Sequence, residues 1–170
     1  MTEGASLQEQ LLDAARRNNV DLLETVFQEL GSDEKKIADL INTSCDPMGN
    51  TGLHLCCQYG SWDVLDQILD QEGGIEIDPR NTLDGDTPLH TAVRYTSVEP
   101  EHGTFIAQNL VQVGADPRIL NKAGQKPLDL VHGPDLENLI DILQGAELAA
   151  DNQHLVNEED AELIDDGPED

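Results

Sequence analysis

Apolar residues recur along this chain in short paired runs at helical spacing. One run reads Leu53, Cys56 and Cys57, breaks at Tyr59-Gly60, and resumes as Trp62, Val64, Leu65, Ile68 and Leu69. Steps of three and four residues with a glycine break between them predict two short antiparallel helices. The next run reads Leu89, Ala92 and Val93, then Phe105, Ile106, Leu110 and Val111, and closes on Gly114-Ala115-Asp116-Pro117. There glycine tolerates the left-handed backbone after a helix and proline prevents its continuation. An N-terminal run covers Leu11 to Leu23, and a final unit from Leu128 to Leu143 is broken by Gly133-Pro134, with its second helix from Asp135 to Leu143. Gly31 to Pro47 reads as an enlarged connection in which Glu34 to Ile41 holds a helical turn or two, and Thr96 to Gly103 reads as an insertion between paired helices.

The leading leucines at 53, 89 and 128 lie 36 and 39 residues apart, so the pattern is an internal repeat. Asp86-Thr87-Pro88-Leu89-His90-Thr91-Ala92 carries T-P-L-H-x-A at every signature position, Thr51-Gly52-Leu53-His54-Leu55-Cys56 is a less regular copy, and Lys126-Pro127-Leu128-Asp129-Leu130-Val131 a degenerate one. These residues resemble the ankyrin-repeat family, whose period is about 33, with small insertions accounting for the excess. Thr87 is suited to cap a helix and Pro88 to open its first turn. Gly52 in place of proline, and Lys126 in place of threonine, predict looser starts for those two copies. Cys56 and Cys57 stand where the family usually places alanine. The Leu11–Leu23 segment resembles a terminal cap lacking the threonine-proline start. The resemblance implies an all-α ankyrin-repeat solenoid of about four helix-turn-helix units with short β-hairpin loops, over residues 5 to 145.

Composition agrees with a fold whose units each bury one stripe: only 3% of the 170 residues are aromatic. The expected organisation is an ankyrin-repeat domain over 1–149 and an acidic disordered tail over 150–170. The formal charge is −26, and no Lys or Arg follows Lys126 while Asp and Glu continue to Asp170. Such a segment repels itself and buries little. Direct nucleic-acid binding is not expected, because it needs concentrated Lys and Arg, and anionic membranes are disfavoured for the same reason. No apolar run approaches the ~20 residues that span a bilayer, and Met1 to Gln10 lacks the layout of a signal peptide. Three cysteines, two of them adjacent, suggest no disulfide framework and favour a reducing compartment. The expected location is the cytoplasm, with the nucleus as an additional site.

No catalytic constellation stands out. His54 and His90 occupy the repeat's signature position, which the resemblance assigns to hydrogen bonding between repeats; His54, Cys56 and Cys57 point around a helix and not to one metal. Asp84-Gly85-Asp86 lacks a twelve-residue loop ending in glutamate and reads as a hairpin tip. There is no nucleophile elbow, phosphate loop or H-E-x-x-H. No enzyme, cofactor or metal is expected.

Ankyrin proteins commonly bind partners through hairpin tips and the concave face of the first helices. By that resemblance the candidate protein-binding surface is Met48, Asn50, Tyr59, Trp62, Leu83, Asp84, Asp86, Arg94, Tyr95 and Lys122; for Trp62 and Tyr95 the alternative is packing between repeats. The expected function is a monomeric, non-enzymatic protein-interaction adaptor. The alternative is an escort for a basic client such as a ribosomal protein or histone, and an enzyme regulator is a third class. The tail, with its apolar islands Leu155-Val156 and Leu163-Ile164, is read either as a solubilising extension or as a tether for a basic partner.

Overall fold

The computed structural model describes residues 5–166, with side chains described through residue 152. Among the described residues eight α-helices and one 3-10 helix follow in order: α1 (Leu7–Arg17), α2 (Val20–Glu29), α3 (Glu34–Thr43), α4 (Gly52–Tyr59), α5 (Trp62–Leu69), α6 (Pro88–Tyr95), α7 (Pro100–Gln112), the 3-10 helix Pro127–Leu130, and α8 (Glu137–Asp166). Four pairs emerge, α1/α2, α4/α5, α6/α7 and the 3-10 helix with α8, while α3 is an extra helix in the enlarged first connection. Among the described residues no strand forms, only an isolated bridge between Cys45 and Thr51. The hairpins are therefore loops without ladders.

The first helices stack in register, α1 on α4, α4 on α6, and α6 on the 3-10 helix. Leu11, Leu53 and Leu89 occupy the same position in each and are all buried. Three residues on come Ala14, Cys56 and Ala92, also buried; these small side chains let neighbouring helices approach closely. Burial pushes the thiols of Cys56 and Cys57 well above the usual range, so they serve as small apolar groups.

Two expectations about helix starts are revised. α4 is as long as α6 despite Gly52, and both starts carry the same bond, in which the histidine Nδ1 accepts the threonine backbone N–H, at 3.0 Å for His54 and 3.1 Å for His90. α7 begins at Pro100, within the supposed insertion, leaving only Thr96 to Glu99 as connection; proline's fixed φ suits a first helical position. The third copy does start weakly, with four 3-10 residues, and Asp129 reaches back to accept the Lys126 N–H at 2.9 Å. α8 is continuous through the composition boundary near residue 150, where Ala146, Leu148, Ala149 and Ala150 are good helix formers. The side chains of the apolar islands Leu155-Val156 and Leu163-Ile164, and everything from residue 167 on, lie outside what is described.

Helix ends are completed from neighbouring repeats. Asn18, in left-handed conformation after α1, accepts the Val64 N–H at 3.0 Å and donates to Asp63 at 3.1 Å, capping α5, whose own Ser61 makes no cap bond. His102 of α7 donates to the Gly60 carbonyl at the end of α4, at 2.9 Å. Asn42 of α3 bonds Gly74 O and Glu76 N, both at 2.9 Å, tying the chain beyond α5 to the extra helix.

Candidate protein-binding groove

Each hairpin tip is built on an Asp or Asn whose Oδ1 accepts two backbone N–H groups. Asp46 takes those of Met48 and Asn50 at 2.9 Å each, Asn81 those of Asp84 and Asp86 at 3.1 and 3.0 Å, and Asn121 those of Ala123 and Gln125 at 3.0 Å each. A short polar side chain that mimics a backbone acceptor is what makes such turns. The amide ends then link the tips: Asn81 Nδ2 donates to Asn50 Oδ1, and Asn121 Nδ2 to Asp86 Oδ1, each at 2.9 Å. Gly49 and Gly85 complete the tips at φ +82° and +70°, and a Cβ at Gly49 would collide with Thr82 of the next tip.

The two signature histidines lock tips to helices. His54 Nδ1 accepts the Thr51 N–H, so Nε2 carries the proton and donates to the Asp86 carbonyl at 2.7 Å. His90 repeats this with Thr87 N–H at 3.1 Å and the Gln125 carbonyl at 2.9 Å. Burial holds both imidazoles below the usual histidine pKa, which keeps Nδ1 free to accept. Asp86 is the hub: its side chain, only 2% exposed, takes Arg94 Nε at 2.7 Å and Asn121. The carboxylate holds the Arg94 guanidinium charged, with its pKa raised.

Between the tips and the first helices opens a groove of about 360 Å³. Met48, Asn50, Leu83, Asp84, Asp86, Arg94 and Tyr95, all candidates from the sequence, line it together. Met48 is 49% and Leu83 60% exposed, and Val98 adds a third exposed apolar side chain. Asn50 and Asp86 are turned inward and spent on the polar chain, so they shape the groove without being presented to a partner. Lys122 stands in the next tip, its Nζ on the Thr82 carbonyl and its N–H on Asp84 O at 2.9 Å. Tyr59 and Trp62 lie outside the groove. Trp62 meets Phe105 of the next repeat edge to face at 4.8 Å, the packing alternative for that residue.

Four lining residues were absent from the sequence reading: Gln58, Asn81, Thr91 and Val98. Gln58 holds in α4 the register of Arg94 in α6, so the repeat alignment contained it. Asn81 matches Asp46 and Asn121 at the tips. Val98 sits in the irregular Thr96–Glu99 connection, where no periodicity points to it.

Stacked helix pairs with hairpin tips fixed by an internal polar chain, and apolar side chains left open along one groove, define a repeat-built protein-interaction module. The comparisons agree. The family of ankyrin repeats matches residues 11–121 in three copies. An ankyrin repeat-containing protein of Saccharomyces cerevisiae is 70% identical over 171 residues, covering 99% of this chain and 94% of its own length. A zinc finger CCCH domain-containing protein of Oryza sativa subsp. japonica is 28% identical over 73% of this chain and 19% of its own, and the human SMC5-SMC6 complex localization factor protein 1 is 33% identical over 64% of this chain and 10% of its own. The chain belongs to the ankyrin-repeat family.

Proposed function

We propose that this protein is a non-enzymatic adaptor that binds a segment of another protein in the groove between its hairpin tips and first helices. One observation carries the reading: Met48, Leu83 and Val98 stay exposed although the tips around them are held rigid by Asp46, Asn81, Asp86 and Asn121. Exposed apolar side chains on a preorganised frame favour association, because little ordering remains to be done on binding. The protein works as a monomer in the cytoplasm, with the nucleus as a second location, and neither nucleic acid nor a membrane is its partner. Among the described residues no helix is long and apolar enough to cross a membrane, and most of the nine Lys and Arg side chains are already paired internally.

A second reading, escort of a strongly basic client, is favoured by the charge of −26 and by residues 151–170, which hold nine carboxylates and no Lys or Arg. Long-range attraction of that kind raises encounter rates and fades with salt. Capture of partners from cell extract by the native chain and by a Met48→Ser/Leu83→Ser variant, quantified by mass spectrometry at low and high salt, decides between them. An adaptor retains its partner at high salt and loses it in the double variant. An escort loses its partner with salt in both. Proteins captured equally by both chains at every salt concentration would contradict the groove assignment. Fluorescence microscopy of the tagged protein tests the location, and light scattering of the purified chain tests the monomer.

A further inference from the structure

Four of the five Phe, Trp and Tyr residues of the chain gather at one place, where the helices of the second and third repeats turn back. Tyr59 and Tyr95 end α4 and α6; Trp62 opens α5; Phe105 lies in the first turns of α7. The rings form a connected step. Trp62 meets Phe105 edge to face, Phe105 stacks on His102 with centroids 6.2 Å apart and planes 13° apart, and His102 meets Tyr95 edge-on at 6.1 Å. His102 is anchored on the Gly60 carbonyl, and a Cβ at Gly60 would collide with the Tyr95 phenol, so the step is fixed from below. It is only partly covered: Phe105 is 41% exposed, and Tyr59, which ends α4 nearby, is 51% exposed.

One acidic cleft adjoins Phe105, and a second shares Glu101 and Asp135 with it. The first, of about 230 Å³, is lined by Glu101, Phe105, Asp135 and Asn138; the second, of about 550 Å³, lies between Glu99, Glu101, His132 and Asp135. Glu99, Glu101 and Asp135 form no ion pair among the described residues. A part-exposed aromatic ring beside carboxylates that form no ion pair among the described residues has a definite chemical complement. A guanidinium is planar and weakly hydrated, so it lies on an aromatic face while its N–H fork meets carboxylates; an ammonium is more tightly hydrated and lacks the fork. The start of α7 supplies Glu101 and Phe105, and the loop before α8 supplies Asp135.

We propose that this ledge is a second recognition surface, adjoining the groove at Tyr95, which takes an arginine side chain from a basic segment of a partner protein. The segment's charge complements a chain of formal charge −26, and its arginine is selected by the Phe105 face with Glu101 and Asp135 alongside.

The test uses fluorescent peptides of alternating Gly and Arg, or Gly and Lys, titrated into the full chain at moderate salt. The arginine peptide binds about fivefold more tightly than the lysine peptide. Phe105→Leu, which keeps apolar bulk without a ring face, removes that preference. Glu101→Gln, checked to be folded by its thermal unfolding, weakens the arginine peptide by about threefold. Leu83→Ala, in the groove, changes neither peptide's binding, so failure of the groove reading and of this one are separable. Equal binding of the two peptides, an arginine preference that survives Phe105→Leu, or binding abolished by truncation after residue 150 while Glu101→Gln has no effect, overturns the proposal.

Discussion

A single imidazole in each well-formed repeat links the start of its own helix to the hairpin of the next, and does so only while neutral. Burial lowers the pKa of His54 and His90 in the folded protein, whereas in the unfolded chain they titrate near 6.5. Their contribution to stability is therefore complete above about pH 6.5 and is lost as pH falls through the lower folded-state values. Asp78 acts in the opposite sense. Burial, reinforced by repulsion from Asp116 and Glu76, raises its pKa from 3.8 to about 6, although it accepts the Asp116 N–H at 3.1 Å. It favours the fold at pH values below 3.8, and that contribution is lost as pH rises to about 6. Asp78→Asn, which can still accept that N–H, should raise stability at pH 7 by about 1 kcal/mol, allowing for solvent screening of a half-buried group. The gain should vanish near pH 4, as denaturant midpoints at the two pH values will show. Leu89, fully buried where α6 meets its neighbours, gives a larger effect: Leu89→Ala should cost about 2 to 5 kcal/mol through the cavity it leaves. An unchanged denaturation midpoint would remove it from the core.

At the scale of elements, each helix pair depends on side chains from the next. Asn18 reaches from the end of α1 to cap α5, so Asn18→Ala should destabilise the protein by about 1 kcal/mol, the usual loss for a cap. Hydrogen exchange should locate the effect at the first turn of α5, not in α1; faster exchange confined to α1 would contradict the interrepeat cap. This dependence also explains what the sequence disclosed. The leucine register and the T-P-L-H-x-A run made the four pairs legible, because packing of stacked helices demands a strict period. Seven groove residues were legible through the same register. Asn18, Asn42 and His102 were not, because their partners lie 32 to 46 residues away and no local pattern announces them. Nor was the bond from the Thr51 N–H to His54 Nδ1 at the start of α4, which His90 repeats in α6. The placement of Trp62 against Phe105 depended on how far the α6–α7 connection carries α7, which composition does not specify.

The molecule as a whole combines a short solenoid with a large excess of negative charge. Lys126 pairs with Glu147 and Arg118 with Asp151, at 3.1 and 3.2 Å, so two of the last three Lys and Arg residues of the sequence pair with α8 where the acidic segment begins. Carboxylates beyond that point meet no Lys or Arg in sequence. The groove and the acidic segment should therefore separate kinetically. Truncation after residue 150 should slow association with a basic partner and flatten its salt dependence, since opposite charges on segment and partner steer encounter. Changes in the groove should act after the complex has formed.

Binding kinetics of the captured partner with the native chain, the Met48→Ser/Leu83→Ser variant and the truncated chain, at moderate salt, test the central claim most directly. A partner seated in the groove dissociates at least about tenfold faster from the double variant, consistent with loss of apolar anchors, and at an almost unchanged rate from the truncated chain. Normal dissociation from the double variant, with binding abolished by truncation, would contradict the account by making the repeats a mere support for the acidic segment.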